Sequence, residues 1–177
     1  MPEICSLSAY LGRAPVLAEK IVMSLGVRKK TIAAAESCTA GLASAFIARV
    51  PGASNVFWGS YVTYTADAKT RMLGIPEELV REYGAVSRPV ALEMAERALE
   101  KSGASWAFSI TGLAGPAGDG ENPVGTVWIG LAGRGEGSSF RSEAKVFCFS
   151  GNRNEVREAA AAAALEELLA KIESEEN

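Results

Sequence analysis

Residues 31–50 read TIAAAESCTAGLASAFIARV and combine a strand, a tight polar turn and a helix in immediate succession. The short apolar run 31–36 has the length and composition of a buried strand. A polar turn follows at 37–39, and the stretch 41–50 has a helical composition that ends at Pro51-Gly52. A buried strand that leads directly into a helix is typical of α/β folds, so this stretch decides the predicted fold class.

The segments on either side continue the alternation of strands and helices. Leu17, Ile21 and Leu25 recur at a spacing of four and predict an amphipathic helix over 15–25 that stops at Gly26. Further strands are predicted at 56–65, 105–110, 126–133 and 138–150, with the last two joined around Gly133–Gly137. Early alternation followed by a hairpin predicts an α/β sandwich with a mixed, mainly parallel sheet of about five strands.

Capping residues mark where several of the later predicted helices begin. Thr65 is a suitable cap for a short helix over 66–73, and a two-turn helix is predicted at 77–83. Ser87 caps a longer helix with Pro89 in its first turn. The last helix starts at Asn152, with Glu155 as a capping-box-like partner, and its alanine tract 159–164 predicts a close-packed face.

Composition and charge narrow the class of protein. The 177 residues, 48% hydrophobic and 22% charged, suit one globular domain over 1–177, and no repeat or linker divides them. The net charge of −3 gives no reason to expect nucleic acid or an anionic membrane as partner. Three scattered cysteines favour a reducing compartment. Without a signal-peptide core or a membrane-length apolar stretch, the expected location is the cytoplasm.

The sequence contains no histidine, and this excludes several chemistries at once. Serine–histidine and cysteine–histidine catalysis and histidine–metal sites are all impossible. A general base must therefore be a lysine, an aspartate, a glutamate, a tyrosine or a terminal amine. Cysteines and carboxylates alone hardly support a zinc site, so no metal is expected.

Two polar turns follow predicted strands and indicate where a ligand binds. They are Glu36-Ser37-Cys38-Thr39 after the first strand and Thr111-Gly112 after the third. If these strands are parallel, both turns lie at the sheet edge where α/β folds usually bind ligands. Ser37 would then lie at a helix N-terminus, where free backbone N–H groups stabilise an oxyanion or a phosphate. The simpler alternative is that Ser37 or Thr39 only caps the helix.

Two further features have a functional and a purely structural interpretation. The glycine-rich loop after Thr111 matches neither common phosphate-binding pattern, so it is either a set of turns or a loop that approaches an anionic ligand closely. Lys69 is either a solvated surface lysine or a functional amine.

The aromatic residues divide into two tyrosines that could reach the predicted cleft and three tryptophans that could pack in the core. Tyr61 and Tyr64 are three apart and face opposite sides of an ideal strand, so at most one points into the cleft. Trp58, Trp106 and Trp128 are interpreted as packing residues.

Six motifs in order then show a resemblance to the CinA C-terminal domain family. The segment 36–41 is similar to the family's ESCTGG, 62–69 to VTYSNEAK, and 84–87 to GAVS. The segment 111–116 is similar to TGIAGP, 123–127 to PVGTV, and 149–153 to FxGxR. The motif-bearing core covers 31–157, and the chain resembles the stand-alone form of the family.

The resemblance implies an activity, a fold and a set of site residues. The implied reaction is hydrolysis of the amide of nicotinamide mononucleotide to nicotinate mononucleotide and ammonia, without a metal or other cofactor. The implied fold is a three-layer α/β/α sandwich, and the implied assembly is a homodimer or higher homo-oligomer. The implied catalytic group is Ser37, Tyr64 and Lys69, with Lys69 held neutral by burial as the base and Tyr64 relaying or holding the proton. The residues implied to bind substrate are Glu36, Cys38, Thr39, Gly41, Thr111, Gly112, Ala114, Gly115, Gly125, Thr126 and Arg153.

Some positions depart from the family motifs, and other functions stay open. Ala40 replaces a motif glycine beside the proposed nucleophile, and Thr65, Ala66 and Asn152 replace other common residues. These departures bear on substrate choice and rate. The alternatives are a non-catalytic nucleotide-binding module and an interaction protein of competence or damage responses.

Overall fold

One mixed sheet organises the protein in the computed structural model, which describes residues 4–134 and 140–174. Its strands within these ranges are β1 (Ile4–Cys5), β2 (Ile32–Glu36), β3 (Phe57–Val62), β4 (Trp106–Gly112), β5 (Thr126–Arg134) and β6 (Phe140–Phe149). Their spatial order is β1-β6-β5-β4-β2-β3. Strand β2 is parallel to β3 and β4, and β1 is parallel to β6, whereas β5 is antiparallel to β4 and β6. The predicted mixed sheet is confirmed, and the two-residue β1 adds an unpredicted sixth strand.

Helices cover both faces of the sheet. They are α1 (Ala14–Arg28), α2 (Leu42–Ala48), α3 (Ala66–Ala68), α4 (Glu77–Tyr83), α5 (Arg88–Ser102) and α6 (Arg153–Ser174), and α3 continues into a π-helical turn, Lys69–Leu73. One hydrophobic core lies between the sheet and α1, α2 and α6, and a second lies between the sheet and α5. The fold is therefore the three-layer α/β/α sandwich that the resemblance implied.

The alanine tract lets α6 pack closely against its neighbours. All six residues of 159–164 are buried, which is more than one helical turn, so this segment is enclosed on every side. It packs against β4 and β5 as well as against α1 and α2. Methyl side chains are small, so the axis of α6 can lie close both to the sheet and to the neighbouring helices. The predicted close-packed face is confirmed.

Capping predictions hold for three helices. The Thr65 hydroxyl accepts a hydrogen bond from the Ala68 N–H at 3.1 Å, and the Ser87 hydroxyl accepts one from the Val90 N–H at 3.5 Å. At the start of α6, the Glu155 carboxylate accepts a hydrogen bond from the Asn152 N–H at 2.8 Å.

The predicted end of α1 is wrong. The helix continues through Gly26 to Arg28, and the residue in the left-handed conformation is Lys29, with φ 52°. The Lys30 N–H donates to the Leu25 carbonyl at 3.1 Å, as in a Schellman motif. A glycine inside a helix costs only about 1 kcal/mol, and the buried Leu25 offsets this cost by packing into the core.

The tryptophan prediction is correct for Trp106, which is buried, and wrong for Trp58, which is 53% exposed. Trp58 lies on β3, an edge strand, and its indole stacks on Tyr61 at 5.7 Å. Trp128 is partly buried on β5. The turn around Gly133–Gly137 falls mostly outside the described residues. In the part of the chain that is described, no helix is long and apolar enough to cross a bilayer.

Candidate active site

The carboxyl ends of β2, β3 and β4 meet at one edge of the sheet, as the two polar turns predicted. The Ser37 N–H, just after β2, donates to the Ile110 carbonyl of β4 at 2.9 Å. The Thr63 N–H, just after β3, donates to the Glu36 carbonyl at 2.8 Å. Because β2 lies between β3 and β4, segments distant in sequence converge on Ser37.

Ser37 and Lys69 form a buried hydrogen-bonded pair at this edge. The Lys69 side-chain nitrogen lies 2.8 Å from the Ser37 hydroxyl oxygen and 3.0 Å from the Thr63 carbonyl oxygen. The Ser37 hydroxyl also lies 3.3 Å from the Tyr64 carbonyl oxygen, to which it donates. The serine hydroxyl therefore has the lysine nitrogen on one side and a backbone acceptor on the other.

Burial changes the protonation of Lys69. Its side chain is 1% exposed, and the described residues place no carboxylate within ion-pairing distance. Desolvation disfavours the charged ammonium and lowers the pKa of Lys69 from 10.5 to about 8. The amine is thus able to lose its proton near neutral pH, as the base role requires. The interpretation of Lys69 as a solvated surface lysine is wrong.

Tyr64 contacts Ser37 through its backbone and contacts Arg153 through its side chain. The phenol oxygen accepts a hydrogen bond from an Arg153 guanidinium nitrogen at 2.6 Å, and the same guanidinium donates to the Gly115 carbonyl at 2.6 Å. No hydrogen bond joins the phenol to the Ser37 or Lys69 side chain in the described structure, so a proton relay through this hydroxyl has no path here. As predicted, only one tyrosine of the pair lines the cleft, since Tyr61 packs against the α5 face.

An open cavity of about 200 Å³ lies in front of Ser37. Arg153 supplies the one charged side chain among the described residues that line it. The lining residues are Ser37, Cys38, Tyr64, Gly112, Leu113, Ala114, Gly115, Ala117 and Arg153. Of the residues implied to bind substrate, the structure thus brings Cys38, Gly112, Ala114, Gly115 and Arg153 to the cavity.

Glu36 has a structural role at the start of α2. Its fully buried carboxylate accepts hydrogen bonds from the N–H groups of Gly41 at 2.9 Å, Ala43 at 3.3 Å and Ser44 at 2.8 Å. It also accepts one from the Ser44 hydroxyl at 2.5 Å. A carboxylate with four donors is satisfied within the protein and caps the N-terminus of α2. Both carboxylate oxygens are thus occupied by donors of the protein itself.

The side chains of the other five implied substrate contacts do not line the cavity. The Thr111 hydroxyl donates to the Ala85 carbonyl at 2.7 Å, and the Gly41 N–H is bound by Glu36. A Cβ at Gly125 would collide with the Phe149 carbonyl, so this glycine permits close backbone approach. The remaining two, Thr39 and Thr126, are buried and their hydroxyls have no partner within the described residues.

Cys38 is buried beside the nucleophile candidate but is poorly suited to react. Burial raises the pKa of its thiol to about 12, so the reactive thiolate is scarce at neutral pH. Of these two adjacent side chains, Ser37 is the one with a base within hydrogen-bonding distance in the described structure. The geometry therefore favours the serine as nucleophile.

Two residues of the site escaped the sequence-based prediction. The Thr63 carbonyl holds the Lys69 nitrogen, and the Arg157 guanidinium donates to the carbonyls of Cys38 and Thr39. Backbone acceptors such as Thr63 leave no signal in sequence. Arg157 had one: it follows Arg153 by four residues and therefore shares its helix face.

The departure at Ala40 has a conformational consequence. Ala40 adopts φ 52°, a left-handed conformation that favours glycine, and its side chain is exposed. It does not line the cavity, so the replacement of the motif glycine strains the turn without narrowing the pocket.

The comparisons with known proteins show the family of this chain. Residues 15–172 match the CinA C-terminal domain family, and the chain belongs to that family. It is 45% identical over 154 residues to the nicotinamide-nucleotide amidohydrolase PncC of Shigella flexneri, covering 86% of this chain and 90% of that protein. The Escherichia coli K12 protein of the same name gives the same figures.

A solved structure supports the fold independently. The competence/damage inducible protein CihA from Agrobacterium tumefaciens superposes with a TM-score of 0.83 and is 37% identical, and the match covers 91% of this chain and 96% of that one. The three-layer architecture is therefore that of the family.

Proposed function

We propose that this protein is a nicotinamide-nucleotide amidohydrolase that converts nicotinamide mononucleotide to nicotinate mononucleotide and ammonia, with Ser37 as nucleophile and Lys69 as base. The observation that carries the proposal is the 2.8 Å contact between a buried lysine nitrogen and a serine hydroxyl at an open cavity. The names of the PncC relatives, at 45% identity, supply the substrate class.

Acylation starts with Lys69 in its neutral form. The Ser37 hydroxyl then donates to the Lys69 nitrogen, and its oxygen attacks the carbonyl carbon of the substrate amide. The serine proton passes to Lys69, and the carbonyl oxygen becomes an oxyanion. The N–H groups of Ser37, Ala40 and Gly41 already donate to protein acceptors, so the available donors are the N–H groups of Cys38 and Thr39.

The two remaining steps return the enzyme to its starting state. The C–N bond breaks, Lys69 gives its proton to the leaving nitrogen, and ammonia departs from the acyl-serine. Water then attacks the ester and gives a proton to Lys69, which returns it to the Ser37 oxygen as the ester bond breaks. The product is nicotinate mononucleotide, so the net reaction consumes one water and converts one amide to a carboxylate and ammonia.

Arg153 is the proposed contact for the substrate phosphate. Its guanidinium is a cation at the cavity wall, and planar guanidinium groups bind phosphate oxygens in pairs. Its hydrogen bonds to Tyr64 and the Gly115 carbonyl orient it toward the cavity rim. Tyr64, which is 50% exposed, then shapes the cavity wall and does not carry protons.

The test of the nucleophile is ammonia release from nicotinamide mononucleotide by the purified protein. We expect Ser37→Ala to lose activity by several orders of magnitude while its unfolding stays cooperative. Cys38→Ala is the matched control, since it removes the neighbouring thiol and leaves the serine–lysine pair, and we expect it to stay active. Near-normal turnover by Ser37→Ala would remove serine from the nucleophile role.

Substitutions of Lys69 test the base. Lys69→Arg keeps a positive charge but cannot release its proton at usable pH, so we expect it to be nearly inactive. If Lys69 instead held the substrate as a cation, arginine would be tolerated and Lys69→Ala would raise KM more than it lowered kcat. An active Lys69→Arg enzyme would contradict the base role.

We also propose that the enzyme is a homo-oligomer and that it acts in the cytoplasm. Both statements stay predictions, and light scattering on the purified protein tests the first.

A further inference from the structure

Arg157 binds the turn that carries the nucleophile, although it lies 118 and 119 residues away in sequence from its partners. Its Nε donates to the Cys38 carbonyl at 3.1 Å, and a terminal guanidinium nitrogen donates to the Thr39 carbonyl at 2.9 Å. A guanidinium presents its donors in a rigid fork, so two successive peptide groups are fixed at once.

Because the peptide bond is planar, the contact with Arg157 also fixes the directions of the N–H groups that follow the two carbonyls. In a trans peptide the C=O and the following N–H point in opposite directions. Since the Cys38 carbonyl points toward Arg157, the Thr39 N–H points away from it. The Thr39 carbonyl likewise directs the Ala40 N–H, which donates to the Ser37 carbonyl at 3.0 Å. The Thr39 N–H donates no hydrogen bond within residues 4–134 and 140–174.

The turn and Arg157 line two different cavities, which have no lining residue in common. Ser37 and Cys38 line the cavity of about 200 Å³ in front of the nucleophile. Arg157 lines a different cavity of about 470 Å³ together with Leu42 and Phe46 of α2. The Thr39 N–H, which is directed away from Arg157 and donates no hydrogen bond within the described residues, lies two positions after the nucleophile in the turn whose Ser37 and Cys38 line the first cavity.

We propose that Arg157 is a positioning residue that holds the Cys38–Thr39 peptide so that the Thr39 N–H stabilises the oxyanion formed at Ser37. The inference rests on the proposed serine mechanism and adds a residue that contacts neither substrate nor nucleophile. The guanidinium charge also polarises the peptide that it binds, which strengthens the N–H as a donor.

The first arm measures hydrolysis of nicotinamide mononucleotide by Arg157→Ala and Arg157→Lys. We expect kcat to fall by about 10- to 1000-fold in Arg157→Ala, the range for an oxyanion donor weakened or lost, with KM changed less than about threefold. Arg157→Lys keeps one donor and should fall between. Guanidinium ion at millimolar concentration should restore part of the Arg157→Ala rate. Arg49→Ala is the matched control, because Arg49 lines the same cavity on the Arg157 side without contacting the turn.

The second arm does not depend on the natural substrate. A fluorophosphonate reacts with an activated serine: the Ser37 oxygen bonds to phosphorus, fluoride leaves, and the serine proton passes to Lys69. The phosphoryl oxygen of the reagent gains negative charge as this bond forms, and the Thr39 N–H is the proposed donor that stabilises it. We expect Arg157→Ala to slow this labelling, measured by intact mass, by a similar factor, while the pH midpoint of labelling, which reports Lys69, stays unchanged.

The two arms separate the possible failures. A wild-type protein that is labelled at Ser37 but does not hydrolyse the nucleotide would contradict the proposed substrate and leave the labelling comparison as the test of Arg157. Labelling and kcat within threefold of wild type in Arg157→Ala would overturn the positioning role. So would a loss confined to KM, a rate loss without guanidinium rescue in a variant of unchanged Tm, or a wild-type Ser37 that is never labelled.

Discussion

Replacement of Lys69 by methionine should remove activity and yet stabilise the folded protein at pH 7. Methionine has a similar length and no charge, and the Lys69 side chain is 1% exposed. The perturbation therefore removes a buried ammonium while it keeps most of the packed volume.

The magnitude follows from the lowered pKa of Lys69. The fall from 10.5 in the unfolded chain to about 8 in the folded state corresponds to about 3 kcal/mol of destabilisation by the buried charge at pH 7. The substitution also removes the hydrogen bonds to Ser37 and to the Thr63 carbonyl, at a cost of roughly 1–2 kcal/mol. We therefore expect Lys69→Met to unfold with a free energy about 1–2 kcal/mol higher than wild type.

The pH dependence gives the sharper test, and its sign follows from linkage. Between pH 8 and 10.5 the folded protein has lost the Lys69 proton and the unfolded chain still binds it, so wild-type stability rises with pH in this window. From pH 7 to pH 9.5 the rise amounts to about 2 kcal/mol. Lys69→Met lacks this contribution, so its advantage over wild type should shrink to about zero at pH 9.5.

The assay is urea unfolding followed by circular dichroism at both pH values. Lys20→Met is the matched control, because Lys20 is an exposed residue of α1 and its loss uncovers no buried charge. We expect it to stay within about 0.5 kcal/mol of wild type. A Lys69→Met protein that is less stable than wild type at pH 7, or whose difference from wild type does not change with pH, would refute the reasoning about the buried amine.

Three further predictions concern the turn and the chemistry. Ala40→Gly should raise the free energy of unfolding by about 1 kcal/mol in urea titrations, because glycine adopts the left-handed φ without strain, whereas Ala45→Gly inside α2 should lower it by a similar amount; equal effects would contradict the strain. Glu36→Gln should lower it by about 2–4 kcal/mol in the same assay, since one carboxylate oxygen becomes an amide nitrogen that cannot accept either the two hydrogen bonds from Gly41 and Ala43 or the two from Ser44, and an unchanged midpoint would contradict the capping role. Ammonia release should persist in EDTA, because a chain without histidine has little means of holding a catalytic metal, and loss restored by one added metal would contradict this.

Local sequence patterns predicted much of the secondary structure of this protein. The run 31–50 predicted strand β2, the polar turn and helix α2, and the caps at Thr65 and Ser87 predicted where helices begin. These features depend on neighbours a few residues apart, and hydrophobic periodicity and capping record such short-range relations directly. The lack of histidine likewise narrowed the possible bases to a few residue types by composition alone.

Only the tertiary structure decided which of the motif residues act together. The position of β2 between β3 and β4 brings the Lys69 nitrogen to the Ser37 hydroxyl across 32 residues of sequence. The Glu36 carboxylate faces the N–H groups at the start of α2 and does not line the cavity. Strand order and side-chain direction depend on long-range packing, which a period of 2 or 3.6 residues does not encode. The low pKa of Lys69 has the same origin, because desolvation is a property of the assembled layers and not of the residue or its neighbours in sequence.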